Sequence, residues 1–488
     1  MSDTPSLPAL EQVGPFEWRV PKGTVEGMRV PGVIFATDEL AKKALEDRAV
    51  EQVANVATLP GILKASYAMP DIHWGYGFPI GGVAATEVEA GGVVSPGGVG
   101  FDIACGVRLV RSDLDWEQDV KPEIGRLVHI LGARTPRGVG TKGRMPLSRR
   151  EMMKVLSHGV RFPLSRGVGW DEDAEYCEDG GVLEDAKPEY VSDRAIERGA
   201  PQLGSLGAGN HFVEIQVVEE IRDERAARVL DLFAGQVCVM LHSGSRGAGH
   251  QTCTDFLKVV DRVMPNYGIE VPDRQLACVP VQDPAAQEYF GAMYAVANYA
   301  RANRHVLTQA VRESFEEVFG RSDRDMGMSV VYDVAHNLAK IEEHDVDGAR
   351  KRLCVHRKGA TRAFGPGHPE IPSRYREIGQ PVIIPGSMGT ASYVLVGTRE
   401  AGERSFSSTC HGAGRAMSRT KARKVMSGQQ LREELEGRGI VFARSQWRLL
   451  AEEAPYAYKE VSQVVEACEG AGLSRAVARL RPVGVVKG

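Results

Sequence analysis

Apolar and polar residues follow a helical period in several separate parts of this chain. Apolar residues recur every three to four positions over 121–131, 146–160 and Tyr289–Phe319, which predicts helices there. Asp38–Val53 has the same period and opens with acidic residues, as helix N-termini commonly do. We therefore expect one continuous helix over Asp38–Val53.

Two further helices are predicted near the C-terminal end, and strands are predicted elsewhere. Ala413–Val425 and Ser427–Glu436 read as helices, the second with Ser427 as its N-cap. Residues 65–112 alternate Gly-rich turns with short Val, Ile and Ala runs, a pattern typical of buried strands. Val237–Leu241 is a short apolar run that ends at His242, so we expect a strand that delivers this side chain at its end.

Strands and helices thus interleave, and Met328–Val334 and Gln380–Ile384 add two more strand candidates. The regular strand–helix–strand period of a doubly wound sheet is missing, so we predict a mixed α/β fold of the α+β class, with central β-sheets surrounded by helices. A length of 488 residues would allow about three domains. Because the sequence shows no clear linker or repeat, we expect one large domain over 1–488.

Two segments of that domain are set apart by composition. Residues 1–60 are expected to form an N-terminal region outside the strongest motifs. Residues 170–190 hold eight acidic residues between Asp171 and Asp185, and Gly180 and Gly181 lie among them. This segment is predicted to be an acidic surface loop.

Charge and composition exclude some classes of protein. The net charge is −4, so bulk charge gives no argument for binding nucleic acid or membranes. No apolar run approaches the ~18 residues of a spanning helix, and Met1–Ser6 lacks the character of a signal peptide. Eight cysteines without a Cys-x-x-Cys pair predict free thiols in a reducing cytoplasm.

One group of residues has the chemistry of a metal site. Asp102 and Cys105 lie three positions apart at the end of a glycine-dense stretch, and His211, His242 and His336 stand in short motifs further on. A carboxylate, a thiolate and several imidazoles form a ligand set for transition metals. Five ligands are more than a single catalytic zinc ion binds, whereas two ions that share Cys105 would use all five. Paired ions are suited to phosphoryl or nucleotidyl transfer.

A second group of residues suggests phosphate chemistry. His411 opens His-Gly-Ala-Gly-Arg, just before the helix predicted from Ala413, and a helix N-terminus attracts anions. A neutral His can also attack phosphorus and carry a covalent intermediate. Arg415, Arg419 and Arg423 follow at helical spacing, which suits either an RNA backbone or an ordinary solvated face.

These residues leave three functions open. An enzyme could use His411 as a covalent carrier beside two metal ions. A dinuclear phosphoester hydrolase would need the same ligands but no covalent His. An RNA-binding protein could instead keep a structural metal and bind through its arginines. The Gly/Ser loop after Pro385 could cradle phosphate in the first two cases, or it could be a plain turn.

Seven motifs, taken in order, resemble those of the RtcB family, RNA-splicing ligases that join 3′-phosphate or 2′,3′-cyclic phosphate ends to 5′-hydroxyl ends. The resemblance runs from about residue 65 to the C-terminus. The motifs are Asp71-Ile-His-Trp-Gly-Tyr-Gly-Phe-Pro-Ile-Gly-Gly, Phe101-Asp-Ile-Ala-Cys-Gly-Val-Arg, Gly209-Asn-His-Phe-Val-Glu, His242-Ser-Gly-Ser-Arg-Gly, His356-Arg-Lys-Gly-Ala-Thr-Arg, Pro385-Gly-Ser-Met-Gly and His411-Gly-Ala-Gly-Arg.

The resemblance implies a role for each group. Asp102, Cys105 and the three histidines would hold two Mn²⁺ ions, with Cys105 shared, and His411 would accept GMP from GTP. Manganese comes from the resemblance alone, because the Irving–Williams order favours zinc. The implied GTP-binding residues are Asn210, His211, Phe212, Val213, Glu214, His336, Asn337, Pro385, Gly386, Ser387, Met388, Ser392, His411, Gly412, Ala413, Gly414 and Lys487.

The resemblance also implies partners and a setting. The substrate would be broken RNA, in tRNA splicing or RNA repair, and an archease activator is a possible partner. Arg415, Arg419 and Arg423 are the candidates for RNA contact. Glu214 suits a guanine, because its carboxylate can accept from the N1–H and amino donors of the base. No membrane is expected, and the expected location is the cytoplasm.

Overall fold

The structure is a computed structural model that describes residues 10–443 and 450–488. Residues 1–9, which carry the N-terminal segment considered above, lie outside the described residues. The described chain mixes strands and helices throughout, which confirms the α+β prediction. Within these ranges, no helix is both long and apolar enough to cross a membrane.

The strands are short, and most are buried. They are β1 Glu11–Gly14, β2 Glu17–Val20, β3 Gly32–Phe35, β4 Ser66–His73, β5 Ile80–Glu87, β6 Val93–Val94, β7 Gly106–Asp115, β8 Phe212–Ile221, β9 Gln236–Ser243, β10 Val279–Pro280, β11 Val330–Ala335, β12 Asn337–Val346, β13 Ala349–Lys358, β14 Ala360–Arg362, β15 Pro381–Ile384, β16 Ser392–Gly397, β17 Ser408–Cys410, β18 Val441–Phe442 and β19 Ser474–Lys487.

The strands form two main sheets. One has the order β1-β2-β3-β4-β5-β13-β12, so the strands of the N-terminal region extend it at one edge. The larger sheet has the order β11-β7-β9-β8-β19-β16-β15, with β18 beside β19. The chain passes from the larger sheet to the smaller one through a single residue, His336, which lies between β11 and β12. The two sheets therefore meet at a predicted metal ligand.

The helices pack around these sheets. They are α1 Asp38–Glu46, α2 Ala49–Val56, α3 Ile124–Arg134, α4 Arg149–His158, α5 Arg161–Leu164, α6 Asp193–Gly199, α7 Glu224–Val229, α8 Arg246–Val263, α9 Pro284–Phe319, α10 Glu400–Ser405, α11 Arg419–Val425, α12 Gly428–Gly437 and α13 Val461–Gly470.

Several helix predictions are confirmed, and one is wrong in its continuity. The long helix α9 starts at Pro284, where the side chain of Asp283 caps it by accepting the N–H of Ala285. Ser427 caps α12 as predicted. The predicted helix over Asp38–Val53 is instead two helices, because Arg48 adopts a left-handed φ of 61° between α1 and α2.

The acidic segment 170–190 is only partly the exposed surface loop that was predicted, because five of the eight acidic residues from Asp171 to Asp185 are exposed and the others are not. Asp173 is buried, and its two carboxylate oxygens accept from Arg312 of α9 at 2.6 and 2.7 Å. Asp179 lies 2.5 Å from Nη2 of Arg301, also on α9. Buried arginines on a distant helix therefore neutralise these two acids and hold this part of the segment against the core.

Candidate metal and nucleotide site

The predicted ligands gather where five neighbouring strands of the larger sheet begin or end. Because the strands β11, β7, β9, β8 and β19 are antiparallel neighbours, one row of paired residues crosses all five at this edge. Residues that are hundreds of positions apart in the chain therefore become neighbours. The pairs in this row are Val334–Val107, Val107–His242, His242–Phe212 and Phe212–Lys487.

Cys105 lies at the centre of the predicted metal ligands. Its Sγ is 3.4 Å from Nε2 of His211 and 3.3 Å from Nε2 of His242. Nε2 of His242 is 3.3 Å from Nε2 of His336, and Nε2 of His211 is 3.0 Å from Oδ2 of Asp102. The structure thus brings all five side chains into one chain of contacts with the thiol in the middle.

The protonation states of His242 and His336 fit a metal site. Burial, followed by the charges of neighbouring histidines, holds the pKa values of His242 and His336 well below the usual range. Neutral imidazole is the form that binds metals. Two neutral nitrogens that face each other cannot both donate a hydrogen, so a cation between them would give their lone pairs a partner. Cys105, His211 and His242 are placed closely enough to share one ion.

The thiol and the carboxylate fit the same interpretation. Burial and the charge of Asp102 raise the pKa of the Cys105 thiol, whereas a bound divalent cation would stabilise its thiolate. Burial opposes ionisation of Asp102, but the hydrogen bond and charge of His211 hold the pKa of Asp102 at about 2. Ser245 anchors Asp102 Oδ1 through its backbone N–H at 2.9 Å and its hydroxyl at 3.2 Å. Oδ2 is left to face the histidines.

His411 lies in a loop, so the predicted helix from Ala413 is wrong over its first half. Strand β17 ends at Cys410, and α11 begins only at Arg419, with Ser418 as its N-cap. Gly414 has a left-handed φ of 71°, and a Cβ there would lie 2.2 Å from the carbonyl oxygen of Asp71. No helix dipole therefore acts at His411, and its position has a different support.

That support is Asp71 of β4. Its Oδ2 accepts the backbone N–H groups of His411 and Gly412 at 3.0 and 3.2 Å, and lies 2.5 Å from Nδ1 of His411. Asp71 is fully buried. Burial opposes its ionisation, but the charge and hydrogen bonds of His411 hold the pKa of Asp71 below its usual value. Since Nδ1 of His411 is in contact with Asp71, Nε2 is the nitrogen that remains available to react with a ligand.

Four of the five predicted metal ligands line one cavity together with His411, and His211 is not among the lining residues. The empty volume of this cavity is about 970 Å³, mouth included, which lies within the usual range for small-molecule sites. The rings of His336 and His411 are 4.9 Å apart, centre to centre. Predicted residues that line the cavity are Asp102, Cys105, Asn210, Phe212, His242, His336, Asn337, Pro385, Gly386, Ser387, Met388, His411, Gly412, Ala413, Gly414, Arg415, Arg419 and Lys487.

Three further residues predicted for GTP, Val213, Glu214 and Ser392, are also not among the residues that line the cavity. Gln216 Nε2 donates to Glu214 Oε2 at 2.8 Å and to Ser392 Oγ at 3.0 Å, and Ser392 Oγ accepts the N–H of Gly386 at 3.2 Å. Glu214 and Ser392 therefore support the loop after Pro385. The side chain of Val213 points to the opposite face of the sheet from the side chains of Phe212 and Glu214 and packs in an apolar cluster.

Lys487 is held firmly although it is the second-last residue. It ends the long strand β19, pairs with Phe212 and is only 6% exposed. Its Nζ lies 5.6 Å from the centre of the Phe212 ring. Burial lowers the pKa of Lys487, while Glu453 and Glu214 act in the opposite direction. A cationic side chain is thus kept at the cavity rather than at a frayed end.

The three arginines proposed for RNA do not form a free basic stripe. Arg415 lies before α11, so the helical spacing from it to Arg419 is lost. Arg415 Nη1 is 3.1 Å from Glu453, Arg419 Nε is 3.0 Å from Glu453, and Arg423 Nη1 is 3.4 Å from Glu452. Two glutamates therefore offset these charges.

Some residues of the site escaped the sequence reasoning. Asp71 stood inside a conspicuous motif, but nothing in the spacing links it to His411, which is 340 residues away. Glu453 and Tyr458 line the cavity from a segment without a motif. His73 lines the cavity as well, and its Nδ1 lies 2.9 Å from the carbonyl oxygen of Asp71.

This arrangement combines a cation site, a reactive imidazole and a lysine around one open cavity. Such a set can bind a polyphosphate, offset its charge and offer a nitrogen nucleophile to phosphorus. The same metal ligands without use of His411 would serve hydrolysis. Geometry alone therefore favours phosphate chemistry and leaves the reaction open.

Comparison with known proteins identifies the family. Residues 52–488 match the family model described as tRNA-splicing ligase RtcB. The chain is 54% identical over 479 residues to a tRNA-splicing ligase RtcB of Archaeoglobus fulgidus, covering 98% of this chain and 99% of that protein. A tRNA-splicing ligase RtcB of Thermococcus kodakarensis is 52% identical with the same coverage. An RNA-splicing ligase RtcB of Mycobacterium tuberculosis is 53% identical over 439 residues, which cover 90% of this chain and 100% of that protein. The chain therefore belongs to the RtcB family.

Proposed function

We propose that this protein is an RNA ligase that uses GTP and two Mn²⁺ ions to join RNA 3′-phosphate or 2′,3′-cyclic phosphate ends to 5′-hydroxyl ends. The observation that carries the proposal is the position of His411. Its Nδ1 is held by Asp71, and its ring lies 4.9 Å from that of the predicted ligand His336 in the same cavity. A hydrolase would need the ligands but no imidazole held in this way.

In the first step, Nε2 of His411 attacks the α-phosphorus of GTP. A nitrogen–phosphorus bond forms, the bond from the α-phosphorus to the bridging oxygen breaks, and pyrophosphate leaves. Asp71 keeps the proton on Nδ1, so the lone pair of Nε2 is free to attack. Lys487 offsets negative charge on the bound phosphates.

In the later steps, an oxygen of the RNA 3′-phosphate attacks the phosphorus of the guanylate. The nitrogen–phosphorus bond breaks and its electron pair returns to Nε2, which restores His411. The RNA 5′-hydroxyl oxygen then attacks the activated 3′-phosphate, GMP leaves, and the hydroxyl proton passes to solvent. A 2′,3′-cyclic end first takes up water to become a 3′-phosphate.

Asp102, Cys105, His211, His242 and His336 would hold the metal ions. When bound, the ions would neutralise charge on phosphate oxygens and activate water for the cyclic ends. Manganese is proposed because the ligand set resembles that of the family. Sulfur, nitrogen and oxygen donors together also suit zinc. A cytoplasmic location and an archease activator stay predictions.

RNA with defined ends tests this function. The protein with GTP and Mn²⁺ should join a strand ending in 3′-phosphate to one starting with 5′-hydroxyl, and the new junction should resist phosphatase. Strands with 3′-hydroxyl and 5′-phosphate ends are the matched control and should stay separate. Cleavage of the RNA without joining would favour the dinuclear hydrolase instead. RNA binding without turnover would favour a binding protein with a structural metal.

A further inference from the structure

One buried arginine binds the peptide groups beside the metal ligands. Nη1 of Arg304, on α9, donates to the carbonyl oxygens of Ala104 and Ser243 at 2.9 and 3.0 Å. Ala104 precedes Cys105, and Ser243 follows His242. Arg304 is fully buried, so water does not compete for these hydrogen bonds. The guanidinium thus connects the strands that carry two of the ligands.

The other side of the same guanidinium reaches a third ligand strand. Nε and Nη2 of Arg304 donate to the two carboxylate oxygens of Asp333 at 2.9 and 2.7 Å. Asp333 is on β11, three residues before His336. The planar fork of an arginine can make all four of these hydrogen bonds at once, whereas a lysine cannot reproduce their geometry. β7, β9 and β11 therefore share one anchor.

The backbone beside Cys105 shows why an anchor is needed. Ala104 has a φ of 52°, in the left-handed region that residues with a Cβ disfavour. Two hydrogen bonds hold it there: its carbonyl accepts from Arg304, and its N–H donates to the carbonyl of Asn337 at 2.7 Å. A Cβ on Gly106 would lie 3.1 Å from Cζ of Arg304, so the guanidinium packs against this turn. Strain of this kind persists only where surrounding contacts enforce it.

We propose that Arg304 is a positioning residue of the metal centre. It fixes the spacing of Cys105, His242 and His336 by binding the carbonyls of Ala104 and Ser243 and the carboxylate of Asp333. The inference rests on the proposed function, because it assumes that these side chains hold metal ions. It concerns a residue that would touch neither the ions nor the substrate. Loss of the anchor should let Ala104 relax and move the Cys105 thiolate away from the histidines.

The chain contains a matched control. Arg108 is equally buried and donates to the same Asp333 carboxylate, with Nε 2.7 Å from Oδ2. Its remaining hydrogen bonds go to His305, Thr308 and Cys177. It therefore shares the charge and the partner of Arg304 without contacting the carbonyls beside the metal ligands.

Arg304→Lys and Arg108→Lys should be compared in the full-length protein. Co²⁺ is a suitable probe, because a thiolate ligand gives it an absorption band and its affinity can be titrated optically. Both variants should lower the melting temperature. Arg304→Lys should reduce the thiolate absorption band and weaken Co²⁺ binding by about 10- to 100-fold. A loss of this size is typical when a residue that supports metal ligands without touching the metal is replaced. The Co²⁺ affinity of Arg108→Lys should stay within about threefold of that of the wild type, because this variant keeps the hydrogen bonds of Arg304 to the carbonyls beside the ligands.

A rescue experiment separates positioning from general stability. Glycine adopts a positive φ without strain, so Ala104→Gly in the Arg304→Lys background should recover part of the Co²⁺ affinity. If Arg304→Lys gives no folded protein, Arg304→Gln replaces it, since it keeps a donor for one carbonyl. Equal Co²⁺ affinity in the Arg304 and Arg108 variants would overturn the inference. A wild type that binds no Co²⁺ at Cys105 would instead refute the metal centre, and with it the proposed function.

Discussion

Oδ2 of Asp71 lies 2.5 Å from Nδ1 of His411 and also accepts the backbone N–H groups of His411 and Gly412. One buried carboxylate oxygen thus fixes both the main chain and the ring of the proposed nucleophile. The arrangement leaves Nε2 as the reactive nitrogen and selects the tautomer in which Nδ1 carries the hydrogen. A His that only filled space would need no ionised partner in a fully buried position.

Asp71→Asn should therefore slow guanylate transfer much more than it weakens GTP binding. The amide is nearly isosteric but presents a donor or a weaker acceptor to Nδ1, so the imidazole loses its preferred tautomer. We expect a fall of about 10⁴-fold in the rate of GMP transfer, the loss that follows when the aspartate of a Ser–His–Asp triad is replaced by asparagine. GTP affinity should change only a few-fold.

The rate can be measured with GTP labelled at the α-phosphate and the affinity by calorimetry. Asp47→Asn is the matched control, because the Asp47 carboxylate accepts the N–H of Trp74 and does not contact His411. It should transfer GMP at nearly the wild-type rate. A wild-type rate of GMP transfer in Asp71→Asn would show that the Asp71 carboxylate is not needed for the reaction of His411.

Cys105→Ala tests the shared thiolate. The variant should lose at least one bound ion and GMP transfer, while its circular dichroism spectrum stays close to that of the wild type. Cys238→Ala removes an equally buried thiol from β9, where Cys238 packs in an apolar cluster. It should keep its metal content and lose only about 1 kcal/mol of stability. Measuring the metal content after dialysis distinguishes the Cys105→Ala and Cys238→Ala variants. Full metal content in Cys105→Ala would exclude a bridging role for the Cys105 thiolate.

The pH dependence of GTP binding tests whether the Glu214 carboxylate contacts the guanine base. Burial raises the pKa of Glu214 to about 7, although Gln216 and Lys487 oppose the shift. Below this pH the carboxyl is neutral, and above it the carboxylate can accept from the N1–H and amino group of guanine. GTP affinity should therefore rise about tenfold between pH 6 and pH 8, as the ionised fraction does.

Glu214→Gln is the control for that measurement, because the ligand's own phosphates titrate in both proteins. The variant should bind GTP with a flatter pH profile. Identical profiles for the two proteins would place the guanine away from Glu214.

The proposed metal ligands could be singled out from the sequence for a chemical reason. Histidine and cysteine are scarce in this chain, with 12 and 8 residues, so their recurrence in short motifs carries information. Aspartate and glutamate number 64, and Asp71 could not be singled out among them. Its role depends on the packing of β4 against the loop after β17, which no local pattern encodes.

Two of the failed predictions share the same cause. The segment with Asp173 and Asp179 looked exposed because local composition shows charge, while its partners Arg312 and Arg301 lie more than a hundred residues later. The helix predicted from Ala413 followed the periodicity of the segment, but the close contact of Gly414 with Asp71 forces a loop. Long-range contacts decided each case.

Labelling of His411 tests the central claim most directly. The protein should become radioactive when it is incubated with Mn²⁺ and GTP labelled at the α-phosphate, and the bond should be labile in acid and stable in alkali, as expected for phosphorus bonded to an imidazole nitrogen. Peptide mapping should place the label on His411, and His411→Asn should take up none. A protein that joins RNA while it remains unlabelled, or that carries the label on another residue, would contradict the account.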